Sequence, residues 1–131
     1  MEITGFAHFN LRAPRALLDE LLLFYTEVIG LEQGWRPTFP RFGYWLYIGS
    51  QNVLHLTEAT GDHGQVTSVP ASFDHASFRC AGIKAFEQKL TQQGVEFATS
   101  LVPQTNQVQL FFKDPAGNGV ELSFSASEAA Q

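Results

Sequence analysis

The sequence predicts an α+β fold built from two βαβββ units, and two observations carry that expectation. The string His8-Phe9-Asn10-Leu11-Arg12 returns as His75-Ala76-Ser77-Phe78-Arg79, a His-x-x-(Leu/Phe)-Arg pattern displaced by 67 residues, about half of the 131-residue chain. Each copy is followed by the same order of periodicities: a strand, a helix and three further strands. The expectation is one domain, 1–131, made of two repeats at approximately 1–58 and 73–125, with a connecting loop at 59–72.

In the first repeat, residues 5 to 12 alternate: Phe6, His8, Asn10 and Arg12 on one face, Ala7, Phe9 and Leu11 on the other. That is the period of a half-buried strand. Pro14 breaks it, and Leu17, Leu18, Leu21, Phe24, Tyr25 and Val28 follow at helical spacing up to Gly30, a residue suited to the left-handed position after a helix. Leu31 to Trp35 and the aromatic-rich Phe42 to Ile48 read as strands. Gly49-Ser50-Gln51-Asn52 reads as a turn before Val53 to Thr57, where His55 falls on the more polar face.

The stretch 59–72 holds Gly61, Gly64 and Pro70 without periodicity, and His63 within it is expected to be exposed to solvent. The second repeat opens with a strand at 74–80 that sets His75, Ser77 and Arg79 opposite Ala76, Phe78 and Cys80. A helix at 82–93 follows, ending before Gly94. Val95 to Val102 and Val108 to Lys113 are strand candidates. Asp114-Pro115-Ala116-Gly117-Asn118-Gly119 is a dense turn signal, with Asp114 starting the turn, and Val120 to Phe124 is the last strand. From Ser125 onward the tail is expected to fray.

Composition narrows the function. With 44% hydrophobic and 16% charged residues the chain is globular. A net charge of −5 with scattered Lys and Arg gives no footprint for nucleic acid or an anionic membrane, so neither is expected as a partner. The longest apolar run, Leu21 to Tyr25, is too short to span a bilayer, and the Met-Glu-Ile-Thr-Gly start lacks the features of a secretory signal. A cytoplasmic location is expected. Cys80 is the single cysteine and reads as a small core residue.

The repeat implies a site. His55 follows His8 by 47 residues and Glu121 follows His75 by 46, so the closing strand of each unit carries a polar residue at a matching distance from the opening histidine. If the units pair about an approximate two-fold axis, His8, His55, His75 and Glu121 converge in one concavity. Imidazole nitrogens and a carboxylate are the usual ligands of Zn, Ni, Fe, Mn or Co, and a divalent metal ion, one per site, is the expected cofactor. Asn10, Arg12, Thr57, Ser77 and Arg79 should face the same concavity, with Arg12 or Arg79 able to hold an anionic group. Tyr44, with Phe42, Trp45 and Tyr47, could wall an apolar pocket for a substrate.

Four segments together resemble the vicinal oxygen chelate superfamily. They are Ala7-His8-Phe9, Phe24-Tyr25-Thr26-Glu27-Val28-Ile29-Gly30-Leu31, Asp74-His75-Ala76-Ser77-Phe78, and Phe112-Lys113-Asp114-Pro115-Ala116-Gly117-Asn118-Gly119-Val120-Glu121-Leu122. That superfamily includes glyoxalase I, fosfomycin-resistance thiol transferases, bleomycin-resistance proteins, extradiol dioxygenases and methylmalonyl-CoA epimerase. The resemblance implies two βαβββ units forming a cup-shaped mixed sheet around a metal, with helices packed outside, and His8, His75 and Glu121 match its two-His, one-carboxylate ligand set. Family members of this size are commonly homodimers, so a homodimer is implied as well.

The function so implied is a metal-dependent lyase or isomerase acting on a small substrate that chelates through neighbouring oxygens, with Glu121 or a metal-bound water as base. Position 55 departs from the glyoxalase I pattern, which has a carboxylate or amide there, and the departure argues against glyoxalase I activity itself. The alternatives are an Fe(II) ring-cleaving dioxygenase and a non-catalytic small-molecule binding or resistance protein.

Overall fold

The computed structural model describes residues 1–60 and 72–128; His63 and most of the connecting stretch lie outside them. The chain divides into two compact units, Met1–Thr67 and Ser68–Gln131. Each holds one four-stranded mixed sheet.

In the first unit, strand β1 (Phe9–Ala13) leads into helix α1 (Arg15–Leu23), whose last turns widen to a π-helical segment over Phe24–Ile29. Phe24, Tyr25, Val28 and Ile29 are all buried, so the wide turns present four large side chains to the core. Thr26 Oγ donates back to the Leu22 carbonyl (2.7 Å), a bond that loosens the regular ladder. Gly30 closes the helix at φ +98°, and the Leu31 amide still bonds the Tyr25 carbonyl. Leu31 therefore belongs to the helix end, and strand β2 shrinks from the expected 31–35 to Glu32–Gly34. Strands β3 (Gly43–Ile48) and β4 (Gln51–Glu58) complete the sheet in the order β1-β4-β3-β2. β1 runs parallel to β4, and the other pairs are antiparallel.

The second unit repeats this arrangement with strand β5 (His75–Arg79), helix α2 (Ile83–Gln92) and strands β6 (Ala98–Leu101), β7 (Val108–Lys113) and β8 (Gly119–Phe124). Its sheet order is β5-β8-β7-β6, the same topology strand for strand. Gly94, at φ +72°, ends α2, and the Val95 amide bonds the Leu90 carbonyl. That cap is why β6 starts three residues later than the alternation suggested.

Each sheet has one apolar and one polar face. Leu54, Leu56 and Leu46 are fully buried on the apolar face of the first sheet, with Leu18 and Leu21 of α1; Val120, Leu122, Leu110 and Phe124 serve the second. Completely burying a leucine contributes roughly 2 kcal/mol, so these faces supply the main driving force of each unit.

The tail departs from expectation. Ala126–Glu128 form a 3-10 turn, and the Glu128 carboxylate accepts hydrogen bonds from the backbone amides of Gly82 (3.0 Å) and Ile83 (2.8 Å). A carboxylate there satisfies otherwise unpaired amides at the start of α2 and complements the helix dipole. Glu128→Ala should therefore destabilise the protein by about 1 kcal/mol, read as a lower urea midpoint at unchanged slope. An unchanged midpoint would return the tail to a frayed role.

Candidate functional site

The parallel strand pairs register the two halves of the expected site. In the first unit Asn10 is the partner of His55, and in the second Ser77 is the partner of Glu121. His55 and Glu121 thus hold equivalent places beside the opening strands, and so do His8, one residue ahead of β1, and His75, the first residue of β5.

In the second unit the polar face gathers His75, Ser77, Gln109 and Glu121. The Glu121 carboxylate is buried and is held by two donors, Ser77 Oγ on one oxygen and Gln109 Nε2 (3.1 Å) on the other. His75 Nδ1 donates to Asp74 Oδ2 (2.8 Å), which fixes the tautomer, while its Nε2 lies 3.4 Å from Glu121 Oε1. This hydrogen bond holds the Asp74 carboxyl below the ordinary carboxylate range. The Phe111 ring stands edge-on to the imidazole, with centroids 5.8 Å apart.

His75 Nε2 and Glu121 Oε1 are both acceptors once Nδ1 carries the ring proton, so a proton or a cation belongs between them. A charge-assisted hydrogen bond would close to about 2.8 Å. At 3.4 Å the pair is longer than such a bond, and an acid behind the other ring nitrogen, as Asp74 stands behind His75, is the usual support of a metal-ligating histidine.

The equivalent pair in the first unit is arranged differently. The His55 ring is sandwiched between Trp45 (centroids 4.1 Å, planes 7° apart) and His8 (3.7 Å, 18°). Its Nε2 donates to Asn52 Oδ1 (2.7 Å). Nearly parallel rings direct their in-plane lone pairs side by side, so His8 and His55 do not converge on one point. The expectation that His55 acts as an equal ligand thus meets a stacking role. Burial first, then the nearby charges of His8 and Arg36, push the His55 pKa down from 6.5 to about 4. Among the described residues no group of three or more His, Cys, Asp or Glu side chains is gathered as a ready ligand set.

Asn52 reaches His55 because of a β-bulge. The register steps from Leu46↔Leu54 to Tyr47↔Asn52, so one extra residue in β4 turns Asn52 onto the face of Tyr47 and His55. Simple alternation would leave it with Leu54.

The remaining expected residues fall as follows. Asn10 and Thr57 hydrogen-bond to each other (Nδ2 to Oγ, 2.9 Å) on the polar face, and Arg12 and Arg79 are exposed on the polar faces of their strands. Ser77 serves Glu121. Tyr44 is a correction: its hydroxyl donates to Asp19 of α1 (2.7 Å) and its ring meets Phe42, so it lies on the helix-covered face, away from His55. Trp45, flanked by Trp35 and Phe39 (centroids 6.2 Å each), supplies the aromatic wall. Asp114 caps its own turn, accepting from the Ala116 and Asn118 amides (2.9 Å each). Burial pushes the Cys80 thiol up to about 11, which keeps it protonated and unreactive.

Gln109 and Arg36 were not anticipated. Gln109 meets Glu121 only across the β7–β8 ladder, and Arg36 lies in the irregular segment between β2 and β3.

The family model of the Glyoxalase/Bleomycin resistance protein/Dioxygenase superfamily matches residues 5–122. A protein described as Glyoxylase I 4 from Arabidopsis thaliana is 34% identical over 110 residues, covering 80% of this chain and 63% of that protein, so the chain spans less than two thirds of that relative. Among solved structures, a glyoxalase family protein from Bacillus anthracis is 27% identical, covers 95% of this chain and 98% of its own, and has a TM-score of 0.73. A variant of the fosfomycin resistance protein FosX from Listeria monocytogenes, solved with Mn(II) and a dihydroxypropylphosphonic acid, shares the fold at 14% identity and a TM-score of 0.74, with 98% of each chain covered. The fold, one four-stranded mixed sheet of the same topology in each unit, defines a protein of the βαβββ glyoxalase type. The chain belongs to the glyoxalase/bleomycin resistance protein/dioxygenase superfamily.

Two outcomes test the half-sites. A methyl group on Gly119 would lie 2.2 Å from the Asp74 carbonyl oxygen and 3.0 Å from His75 Cβ. Gly119→Ala should therefore cost about 1–3 kcal/mol in urea unfolding and shift the His75 imidazole resonances, whereas Gly5→Ala, with open space around it, should do neither. His55, with its folded pKa near 4 against about 6.5 unfolded, stabilises the metal-free protein fully above pH 6.5. That contribution is lost as the pH falls toward 4, because the unfolded state takes up the proton first. His55→Phe should flatten the slope of stability against pH in this window.

Proposed function

We propose that the protein is a divalent-metal-dependent enzyme, a lyase or isomerase, acting on a small substrate that presents two neighbouring oxygens. The observation that carries this reading is the His75 Nε2 to Glu121 Oε1 pair, two acceptors 3.4 Å apart with Asp74 behind the ring. His75 and Glu121 of the second unit would hold the ion. A bound ion would supply Lewis acidity toward the substrate oxygens, which would make a neighbouring C–H more acidic. Glu121 is the base for that proton, since Gln109 and Ser77 keep its carboxylate oriented while it takes the proton up and returns it. Trp45, Trp35 and Phe39 supply an apolar wall beside His55.

His55 in this reading is a positioning ring that holds His8 by stacking, and its low pKa keeps it neutral at the working pH. Glyoxalase I chemistry itself is disfavoured, because the place equivalent to Glu121 carries a neutral imidazole and leaves one carboxylate base.

Calorimetric titration of the stripped protein with Zn(II), Ni(II), Mn(II), Co(II) or Fe(II) tests the reading. At least one ion should bind, and His75→Ala should remove that binding. His55→Phe, which preserves a stacking ring but removes both nitrogens, should cost only about tenfold in affinity. Loss of binding in His55→Phe equal to that in His75→Ala would make His55 a ligand, and absence of binding by every ion would overturn the enzyme assignment. Oxygen consumption with a catechol on the Fe(II) form would move the assignment to a ring-cleaving dioxygenase.

A further inference from the structure

We propose that the free edge of strand β6 is a self-association surface, on which β6 of a second copy of this chain adds as an antiparallel strand. The inference concerns the second unit alone and does not depend on the metal-enzyme reading.

β6 (Ala98–Leu101) ends its sheet, in the order β5-β8-β7-β6, and all of its residues are exposed. Backbone bonding alternates along an antiparallel pair, so every second residue turns its N–H and C=O away from the neighbouring strand. The phase is fixed by the Val102 amide, which bonds the Gln107 carbonyl (2.8 Å) and continues the register of Leu101 with Val108. Val102, Ser100 and Ala98 therefore bond toward β7, while Thr99 and Leu101 turn their amides and carbonyls outward. The far side of β7 agrees: the Asp114 amide bonds the Asn118 carbonyl, which puts Val108, Leu110 and Phe112 on the β8 side. Among the described residues no backbone bond reaches the outward groups of Thr99 and Leu101.

A row of unpaired backbone groups is a template for another strand, and natural edges are commonly blunted by charge or proline. β2, the equivalent edge of the first unit, carries Glu32, whereas Ala98-Thr99-Ser100-Leu101 has neither a charge nor a proline.

The side chains specify the occupant. Thr99 and Leu101 share a face with their register partners Leu110 and Val108, which are buried, so they lie on the helix side of the sheet; Leu101 nevertheless stays 56% exposed. Beside them opens a cleft of about 240 Å³, with buried Ile83 and Val108 at its floor and Lys84 and Glu87 of α2 at its rim. A strand added about a two-fold axis through Ser100 sets Thr99 of each copy against Leu101 of the other. Those are the residues whose backbone groups point outward, so each pair exchanges both of its N–H to C=O bonds, and Ser100 faces Ser100 between them. Opposite residues share a face, which brings each exposed Leu101 beside Thr99 of the other copy, at the mouth of that copy's cleft. The rim holds one charge of each sign, so the contact does not set a like-charged surface against itself. A foreign strand would satisfy the same backbone groups, but the match of an exposed leucine with an apolar cleft two residues away along the same edge is a property of the edge meeting itself. Such a contact is smaller than a standard interface of roughly 1,200–2,000 Å², so the association is reversible and depends on concentration.

Cross-linking tests the register. In a Cys80→Ser background, Ser100→Cys should give a disulfide-linked dimer on treatment with diamide, because opposite residues of a non-hydrogen-bonded pair have Cα atoms about 4.5 Å apart, within disulfide reach. Thr99→Cys should not, since its counterpart lies on the diagonal, about 7–8 Å away. Absence of the Ser100→Cys product, or equal yields at the two positions, overturns the proposal. Sedimentation of the full chain tests the surface without new thiols. Thr99→Lys/Leu101→Lys and Thr99→Glu/Leu101→Glu, both verified as folded by circular dichroism, should each lose one association step that the wild type shows on raising concentration, and their equimolar mixture should regain it. A step kept by either variant, or not recovered by the mixture, overturns the proposal. So does a wild type that shows no such step while its Thr99 and Leu101 amide resonances shift with an unrelated extended peptide, a result that gives the edge to a foreign strand. None of these readouts involves metal or activity, so they stand or fall apart from the enzyme assignment.

Discussion

The parallel pairing of opening and closing strands in each unit is the constraint on which the site depends. β1 lies beside β4 and β5 beside β8. A parallel pair cannot be closed by a tight turn, so a long crossover must intervene before the chain returns, and here a helix and two further strands form it. Once it returns, register places His55 next to Asn10 and Glu121 next to Ser77, with the opening histidine two residues ahead of each. Polar residues far apart in sequence thereby come within hydrogen-bonding reach, at a separation set by backbone spacing.

Both units obey that constraint, yet they use it differently. In the second unit the closing residue is a carboxylate that can face an imidazole nitrogen, and Gln109 and Ser77 hold it there. In the first it is an imidazole, whose flat faces find Trp45 and His8. Stacking directs the ring edges elsewhere, and Asn52 takes one of them. Equivalent register positions thus carry a carboxylate facing an imidazole in one unit and an aromatic stack in the other.

The elements themselves were legible because each carries its own period. His8, Asn10 and Arg12 alternate with Phe9 and Leu11, and the helical apolar spacing runs to Gly30, where the structure ends the helix at positive φ. Errors gathered at ends, where backbone bonding overrides composition. Leu31 and Val95 read as strand starts but serve as helix caps, since their amides reach carbonyls of the preceding turns. Glu128 read as part of a loose tail, because nothing local reveals that its carboxylate meets α2, 45 residues earlier.

The sequence by itself determined which residues share a face wherever a strand runs without a bulge: strand parity follows from stereochemistry, and the repeat follows from the spacing of two like strings. From these came the fold class and the positions of His8, His75 and Glu121 on polar faces. Only the tertiary structure decided what each group meets there. The bulge at β4 turns Asn52 onto the face of His55, Tyr44 turns to α1, and Arg36 is carried over the sheet by an irregular segment. Such outcomes depend on register shifts, ring stacking and loop paths, which arise from contacts between residues distant in the chain and leave no periodic trace in it.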